Sequence, residues 1–238
     1  MGRLIEQDSV KAARILDSAR ELALEHGVRK VTIAEIAAAA NVGKGTVYLY
    51  WETKEDLFLG LLAREVLAWI DTLTARITED PHWILPRRLA SLLLRTTQDN
   101  PWLRRIRSGD SLQQVLQRPA DRERLARASL VAMGDAVVSI LRDHGIVRDD
   151  LPLARQLYAT RALLVGFGTV GTDPVTNDLF DVADAESALA DAFHLLLEPA
   201  EDPGDTVVTT AADAVRARFA EIHDNLRELV TAGAAGTR

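Results

Sequence analysis

The chain has 238 residues, 47% of them hydrophobic, which is enough for a small N-terminal domain and a larger second domain with its own core. It contains no cysteine, so disulfides and thiolate metal sites are excluded, and we predict a cytoplasmic protein. The net charge of -7 is local, because residues 173–205 hold ten acidic and no basic residues, leaving 28 basic and 25 acidic residues elsewhere. The N-terminal part is not strongly basic, which argues against non-specific coating of nucleic acid.

The first two predicted helices are separated by a short loop. Apolar residues recur at three- and four-residue spacing from Val10 to His26, and Gly27 provides a left-handed stop. Thr32 and Glu35 have the spacing of a capping box, which predicts a second helix starting there. Its alanine-rich run ends at Asn41-Val42-Gly43, a turn of the length found in helix-turn-helix motifs.

A third helix is predicted from Lys44 to Tyr50. It is too short to be stable alone in water, so we expect one face, with Val47, to pack and the other to stay free. The free face offers an ammonium group, hydroxyl groups and a glycine that permits close approach, all suited to phosphates and base edges. Its residues are Lys44, Gly45, Thr46, Tyr48 and Tyr50. Lys54 lies in the first turn of the next helix, which begins at Thr53, where a cation is unfavourable unless an anion binds.

Residues 10–58 resemble the DNA-binding domain of the tetracycline-repressor (TetR) family of transcriptional regulators. The resemblance rests on Ala19 to Gly27 closing the first helix, on TIAEIA at 32–37 and on GTVYLYWETKEDLF at 45–58. It implies that the helix from Lys44 enters the major groove of DNA, with Lys44, Gly45 and Thr46 nearest the bases. It also implies phosphate contacts from Thr32, Tyr48, Tyr50 and Lys54. Gly43 stands where the family commonly has Ser or Thr, and Trp51 where it commonly has Phe.

No strand pattern occurs, and an all-α fold is predicted. After the first three helices, the predicted helices span 53–77, 86–98, 102–116, 120–144, 152–170, 185–197 and 209–230. We divide the chain into a three-helix helix-turn-helix domain at 9–56, a helical-bundle ligand-binding and dimerisation domain at 57–198, and a linker with a C-terminal helical extension at 199–238. The extension has a coiled-coil-like seam that either adds to a dimer contact or, our preferred interpretation, packs on its own chain.

The family resemblance also implies what the second domain does. The helices at 152–170 and 185–197 would pair with their copies in a second subunit to form a four-helix core, and a small effector would bind inside the bundle. Five aromatic residues are candidates for lining an apolar pocket, although aromatic residues at helical spacing are more often ordinary core. They are Trp69, Trp83, Trp102, Tyr158 and Phe167.

No enzyme signature is found. The five histidines show no H-x-x-x-H spacing, and neither a G-x-S-x-G elbow nor a phosphate-binding G-x-x-x-x-G-K-[ST] loop occurs, so we predict no catalytic residue, no metal site and no cofactor. The longest stretch without a charged residue has eleven residues, fewer than the roughly 20 needed to span a bilayer, and no signal peptide is recognised.

These observations predict a homodimeric transcriptional regulator, a repressor that a small, largely apolar effector releases from a pseudo-palindromic double-stranded DNA operator. The alternative is a small-molecule-binding or scaffold protein whose helix-turn-helix no longer reads DNA.

Overall fold

The computed structural model describes residues 2–102, 130–170 and 185–235, and these ranges contain helices and no strand. The all-α prediction is therefore confirmed. The described residues form two compact units, one of 2–67 with 224–235 and one of 68–102 with 130–170 and 185–223. Beyond Trp102, the predicted helix at 102–116 lies outside the described residues, as does the first part of the helix predicted at 120–144. The proposed domain boundaries stay a prediction.

The first unit begins with α1 (Gly2–His26), which starts earlier than the predicted Val10 because no proline interrupts the preceding residues. It ends as predicted, at Gly27, whose backbone has φ 85° and whose N–H donates to the Ala23 carbonyl over 2.9 Å. A positive φ is readily adopted by glycine, which has no Cβ to clash.

The helix-turn-helix forms through local capping at both ends of α2 (Ile33–Ala39). At its start the predicted capping box is present: the Glu35 N–H donates to the Thr32 hydroxyl, and the Thr32 N–H donates to the Glu35 carboxylate. At its end Asn41 adopts φ 51°, and the Val42 N–H donates to the Ala37 carbonyl over 2.9 Å. This is a Schellman-type stop, which closes the helix and aims the chain into α3 (Lys44–Tyr50).

The inner face of α3 is buried in a core that apolar side chains of the first four helices form together. Fully buried side chains include Ile15 on α1, Ile36 on α2, Val47 on α3 and Leu61 on α4 (Lys54–Glu79). Ion pairs add to the contact between α1 and α4, since Arg20 lies 3.2 Å from the carboxylate of the largely buried Glu65. The burial of these side chains fixes the orientation of the short third helix, which its own hydrogen bonds could not do.

The second unit contains α4 from Ala68 onward, a series of further helices, and the last helix as far as His223. In chain order they are a 3-10 turn at Pro81–Ile84, α5 (Pro86–Gln98), α6 (Leu130–Asp143), α7 (Leu153–Val170), α8 (Ala185–Leu197) and α9 (Asp205–Ala235). Helices α5 and α8 pack on each other, and Arg95 of α5 pairs with Glu186 of α8 over 2.6 Å. In the part of the chain that the structure describes, no helix is long and apolar enough to cross a membrane.

The C-terminal helix α9 has an apolar face that is buried within the single chain, while its part in a dimer contact stays untested. Val208, Val215 and Phe219 are buried in the single chain. Asp205 in its first turn lies 3.2 Å from the His82 ring, between Oδ1 and Nε2. The helix is longer than the predicted 209–230 because Val208, one turn before Ala212, extends the buried apolar face.

A tryptophan and a glycine form a size-matched contact where α3 meets α4. Trp51, which follows α3 directly, is buried, and Gly60 of α4 lies under its ring. A Cβ added at Gly60 would lie 2.8 Å from the Trp51 Nε1, closer than real Cβ contacts come. The tryptophan found in place of the more common phenylalanine is therefore accommodated by a glycine nine residues later.

We predict that Gly60→Ala lowers the free energy of unfolding by about 1–3 kcal/mol, because the added methyl group overpacks the Trp51 contact. Urea unfolding measures this change. Gly134→Ala is the matched control: this helical glycine has nothing within 4 Å of an added Cβ, so alanine should stabilise by roughly 0.5–1 kcal/mol. Trp51→Phe should reduce the cost of Gly60→Ala in the double variant. A Gly60→Ala protein as stable as the wild type would refute the size-matched contact.

Candidate nucleic-acid interface

The third helix has one anchored and one open face. Val47 and the following Trp51 are buried on the inner face. On the outer face Lys44 and Gly45 are exposed, Tyr48 retains 46% of its accessible surface and Leu49 retains 80%. The packed and free faces expected from the sequence are therefore both present, and the free face carries a cation, a phenol and an isobutyl group within two turns.

Lys44 and Tyr48 are neighbours one turn apart on this face. The Lys44 Nζ lies 5.9 Å from the centroid of the Tyr48 ring, close enough for a cation–π attraction. This attraction favours Lys44 conformations that bring the ammonium group to the exposed side of the helix. The two side chains together present a positive charge beside a hydroxyl group, the combination that binds phosphate or guanine acceptors.

Gly45 leaves an open space on the exposed side of the helix, beside these side chains. A Cβ built there meets no atom within 4 Å, and the residue has an ordinary helical conformation without positive φ. Within the described residues, neither packing nor backbone geometry therefore requires glycine at this position. The gap is available to a partner that approaches the helix closely.

The hydroxyl of Thr32 is already engaged by the capping box. It donates its single hydrogen to the Glu35 carboxylate over 2.8 Å, and the Thr32 N–H donates to the same oxygen over 2.8 Å. The hydrogen bond from the Thr32 hydroxyl is the largest cause that lowers the pKa of Glu35, and the bond from the Thr32 N–H is the next. Both stabilise the ionised carboxylate. A phosphate contact from the Thr32 hydroxyl would have to displace Glu35, since a hydroxyl has only one hydrogen to donate.

Lys54 joins the start of α4 to the loop before α2. Its Nζ donates to the Arg29 carbonyl over 3.0 Å and lies 6.0 Å from the centroid of the Phe58 ring. Partial burial lowers the pKa of Lys54. An ammonium group has three N–H donors, so the bond to Arg29 leaves two for a phosphate. Arg29 and Lys30 are exposed beside it, and sequence reasoning did not include them.

The remaining predicted contacts are less exposed. Thr46 is half-buried, and Tyr50 is half-buried with its ring 5.5 Å from that of Trp51. Gly43 is the N-cap of α3, as predicted, and supplies no side-chain hydrogen bond there. Leu49 was missed by sequence reasoning although its position, four residues after Gly45, places it on the same side of the helix.

The five aromatic pocket candidates occupy different surroundings in the second unit. Trp69 is buried and donates from Nε1 to the Thr96 hydroxyl over 2.8 Å, and Trp102 is also buried. The Arg88 guanidinium lies 4.5 Å from the ring centroid of half-buried Trp83. Phe167 is half-buried, whereas Tyr158 is 76% exposed in the single chain. Their role in a ligand pocket stays a prediction.

No group of three His, Cys, Asp or Glu residues able to hold a metal occurs within 2–102, 130–170 and 185–235.

The N-terminal region matches a known protein family. The profile described as "Bacterial regulatory proteins, tetR family" matches residues 15–61. The fatty acid metabolism regulator protein of Bacillus subtilis is 32% identical over 75 residues, which are 32% of this chain and 39% of that protein. An uncharacterized HTH-type transcriptional regulator of Mycobacterium bovis is 25% identical over 187 residues, 76% of this chain and 91% of that protein.

Solved structures share the fold at low sequence identity. The regulator FadR of Bacillus subtilis, in complex with stearoyl-CoA, superposes with a TM-score of 0.60 at 18% identity, over 77% of this chain and 97% of that one. SmeT, the repressor of a Stenotrophomonas maltophilia multidrug efflux pump, gives a TM-score of 0.57 at 20% identity, over 81% of this chain and 94% of that one. Identities this low establish the fold alone.

We predict that Gly45→Ala makes the protein more stable and its DNA binding weaker. Alanine should raise the free energy of unfolding by about 0.5–1 kcal/mol, because the conformation is helical and the site has room. The new methyl group should obstruct a close partner, so affinity for a duplex enriched by the wild-type chain from a random-sequence pool should fall. Urea unfolding and fluorescence anisotropy measure the two effects.

Gly134→Ala on α6 is the control for this test, since it should stabilise similarly and leave DNA affinity unchanged. Wild-type affinity in the Gly45→Ala protein would show that no partner enters the gap.

Proposed function

We propose that this chain, whose residues 15–61 match the tetR family of bacterial regulatory proteins, binds a specific double-stranded DNA operator as a homodimer and represses transcription until a small effector binds. A cytoplasmic location is part of this proposal, since DNA is the proposed partner. The named relatives are regulators and not enzymes, which supports a role without catalysis.

The observation that carries the DNA-binding proposal is the outer face of α3. The inner face of α3 is held in place by the buried Val47, while Lys44, Gly45 and Tyr48 remain exposed. In a helix-turn-helix the second helix enters the major groove, and phosphate contacts from neighbouring helix starts fix its register. Lys54, at the start of α4, has donors left for such a phosphate contact.

Exposed apolar residues on α7 and α8 support the homodimer. Val165 of α7 is 60% exposed in the single chain, and Leu195 of α8 is 73% exposed. Pairing of these helices with their copies would remove apolar surface from water, and burial of such surface is the main driving force for association. A dimer would place two reading helices on successive major grooves about 34–36 Å apart, which requires a pseudo-palindromic operator.

A largely apolar effector is the second half of the proposal. Structures sharing this fold were solved with stearoyl-CoA in FadR of Bacillus subtilis and with resorcinol in RolR. For this chain we propose that the effector binds within the second unit, near buried aromatic residues such as Trp69 and Trp102. Occupation there would change the spacing of the two reading helices and so release the operator.

The proposal is tested by selecting duplexes from a random-sequence pool with the full-length chain and titrating the enriched duplex against a scrambled one at two salt concentrations. We expect a preference of about a thousandfold or more, and an enriched sequence with two inverted half-sites. Equal, weak and strongly salt-dependent binding to both duplexes would instead support the small-molecule-binding or scaffold alternative.

We predict that Lys44→Ala weakens binding to the enriched duplex by about 1–3 kcal/mol for each DNA-binding domain of the dimer. It should also relax the preference at one base position, because a lysine donates hydrogen bonds to the guanine acceptors in the major groove. Anisotropy titrations against single-base variants of the duplex measure both effects. A loss of equal size on every sequence would reassign Lys44 to a phosphate.

The charge-matched control for Lys44→Ala is Arg76→Ala. Arg76 is an exposed cation of the second unit, paired with Glu79 on the surface of α4. Its loss changes the net charge equally and should leave sequence preference intact.

A further inference from the structure

Leu49 has an exposure that the packing of its own chain does not explain. At 80%, Leu49 is the most exposed of the large apolar residues within 10–102, 133–170 and 185–227. The neighbouring Val47 anchors the helix, so Leu49 contributes little to holding α3 in place. A single exposed leucine is ordinary on a protein surface, and only its position gives it meaning.

That position is the outer face of α3. Leu49 follows Thr46 by three residues and Gly45 by four, so the three residues lie on one side of the helix. A leucine side chain in a helix leans toward the preceding turn, which here contains the open gap at Gly45. Leu49 therefore places an exposed apolar side chain on the same side of the helix as the gap, where no atom lies within 4 Å of a Cβ built at Gly45.

The chemistry of DNA restricts what the exposed Leu49 side chain can contact. A leucine side chain neither donates nor accepts a hydrogen bond, so phosphates and the polar base edges offer it nothing. The thymine C5-methyl group is the apolar feature of the base edges in the major groove. We propose, building on the DNA-binding function above, that Leu49 reads a thymine C5-methyl group in each operator half-site and is a specificity-determining residue.

The test replaces each thymine of the enriched duplex, one at a time, with deoxyuridine, which differs from thymidine in this methyl group alone. Fluorescence anisotropy then gives the affinity of the wild-type chain and of Leu49→Ala for every duplex. At one position in each half-site the wild type should bind about fourfold more weakly when the methyl group is removed. Leu49→Ala should bind the thymine duplex more weakly and show no difference between thymine and uracil at that position.

Two features make this comparison specific. Alanine has the highest helix propensity and Leu49 is exposed, so the variant should keep its thermal unfolding midpoint. Val207→Ala, which shortens an exposed apolar side chain on α9 of the second unit, should reproduce the wild-type uracil profile.

The outcomes separate the inference from the function beneath it. If the wild type selects a preferred duplex but no thymine-to-uracil change weakens its binding, the methyl contact is refuted while the DNA-binding proposal stands. The same conclusion follows if Leu49→Ala keeps the wild-type difference in affinity between thymine and uracil at every position. It also follows if Leu49 binds another protein and its replacement leaves the affinity for DNA unchanged. Failure to enrich any duplex would refute both.

Discussion

The outer face of α3 has a defined shape only because its inner face is buried. Seven residues form too few hydrogen bonds for a helix to persist in water, so the orientation of Lys44 and Tyr48 depends on the burial of Val47 and Trp51. Trp51 transmits this dependence to α4, since its ring occupies the space that a side chain at position 60 would take. The shape of the outer face of α3 therefore depends on the packing of the first unit. A change in the contact between Trp51 and Gly60 of α4 will alter the position of α3.

The polar groups at the helix starts differ in what they can still offer to DNA. Thr32 gives its only hydroxyl hydrogen to Glu35, so a phosphate would gain a hydrogen bond there only by breaking one in the protein. Lys54 gives one of three N–H groups to the Arg29 carbonyl and retains its charge for a second acceptor. The bond to Arg29 also restricts the lysine side chain before any partner arrives, which reduces the conformational entropy lost on binding. Of the two, Lys54 is the better suited to a phosphate.

Local signals in the sequence were sufficient for much of this structure. The capping box at Thr32 and the helix stop at Asn41 involve neighbouring residues. The Thr32 and Glu35 spacing therefore predicted where α2 begins, and the Asn41-Val42-Gly43 turn predicted where it ends. The contact between Trp51 and Gly60 joins two helices, and the sequence pattern contains nothing that pairs these two positions. The exposure of Leu49 was missed for a related reason: the sequence argument considered only glycine and polar side chains for the free face, and the face on which a leucine lies depends on which side of a short helix packs. The pocket role of the five aromatic residues stays a prediction, because helical spacing does not distinguish a core residue from one that lines a cavity.

If residues 9–58 bind DNA as proposed, their charge leaves sequence specificity to short-range contacts. Residues 9–58 contain seven Lys and Arg and seven Asp and Glu, so the region as a whole has no net charge from these side chains. Long-range attraction to DNA is correspondingly weak, and few counterions are released when the protein binds without sequence preference. Weak non-specific binding leaves the free-energy difference between operator and other DNA to contacts with base edges and with individual phosphates. In the proposed complex, a thymine methyl group beside Leu49 would add a factor of about four in each half-site to this discrimination.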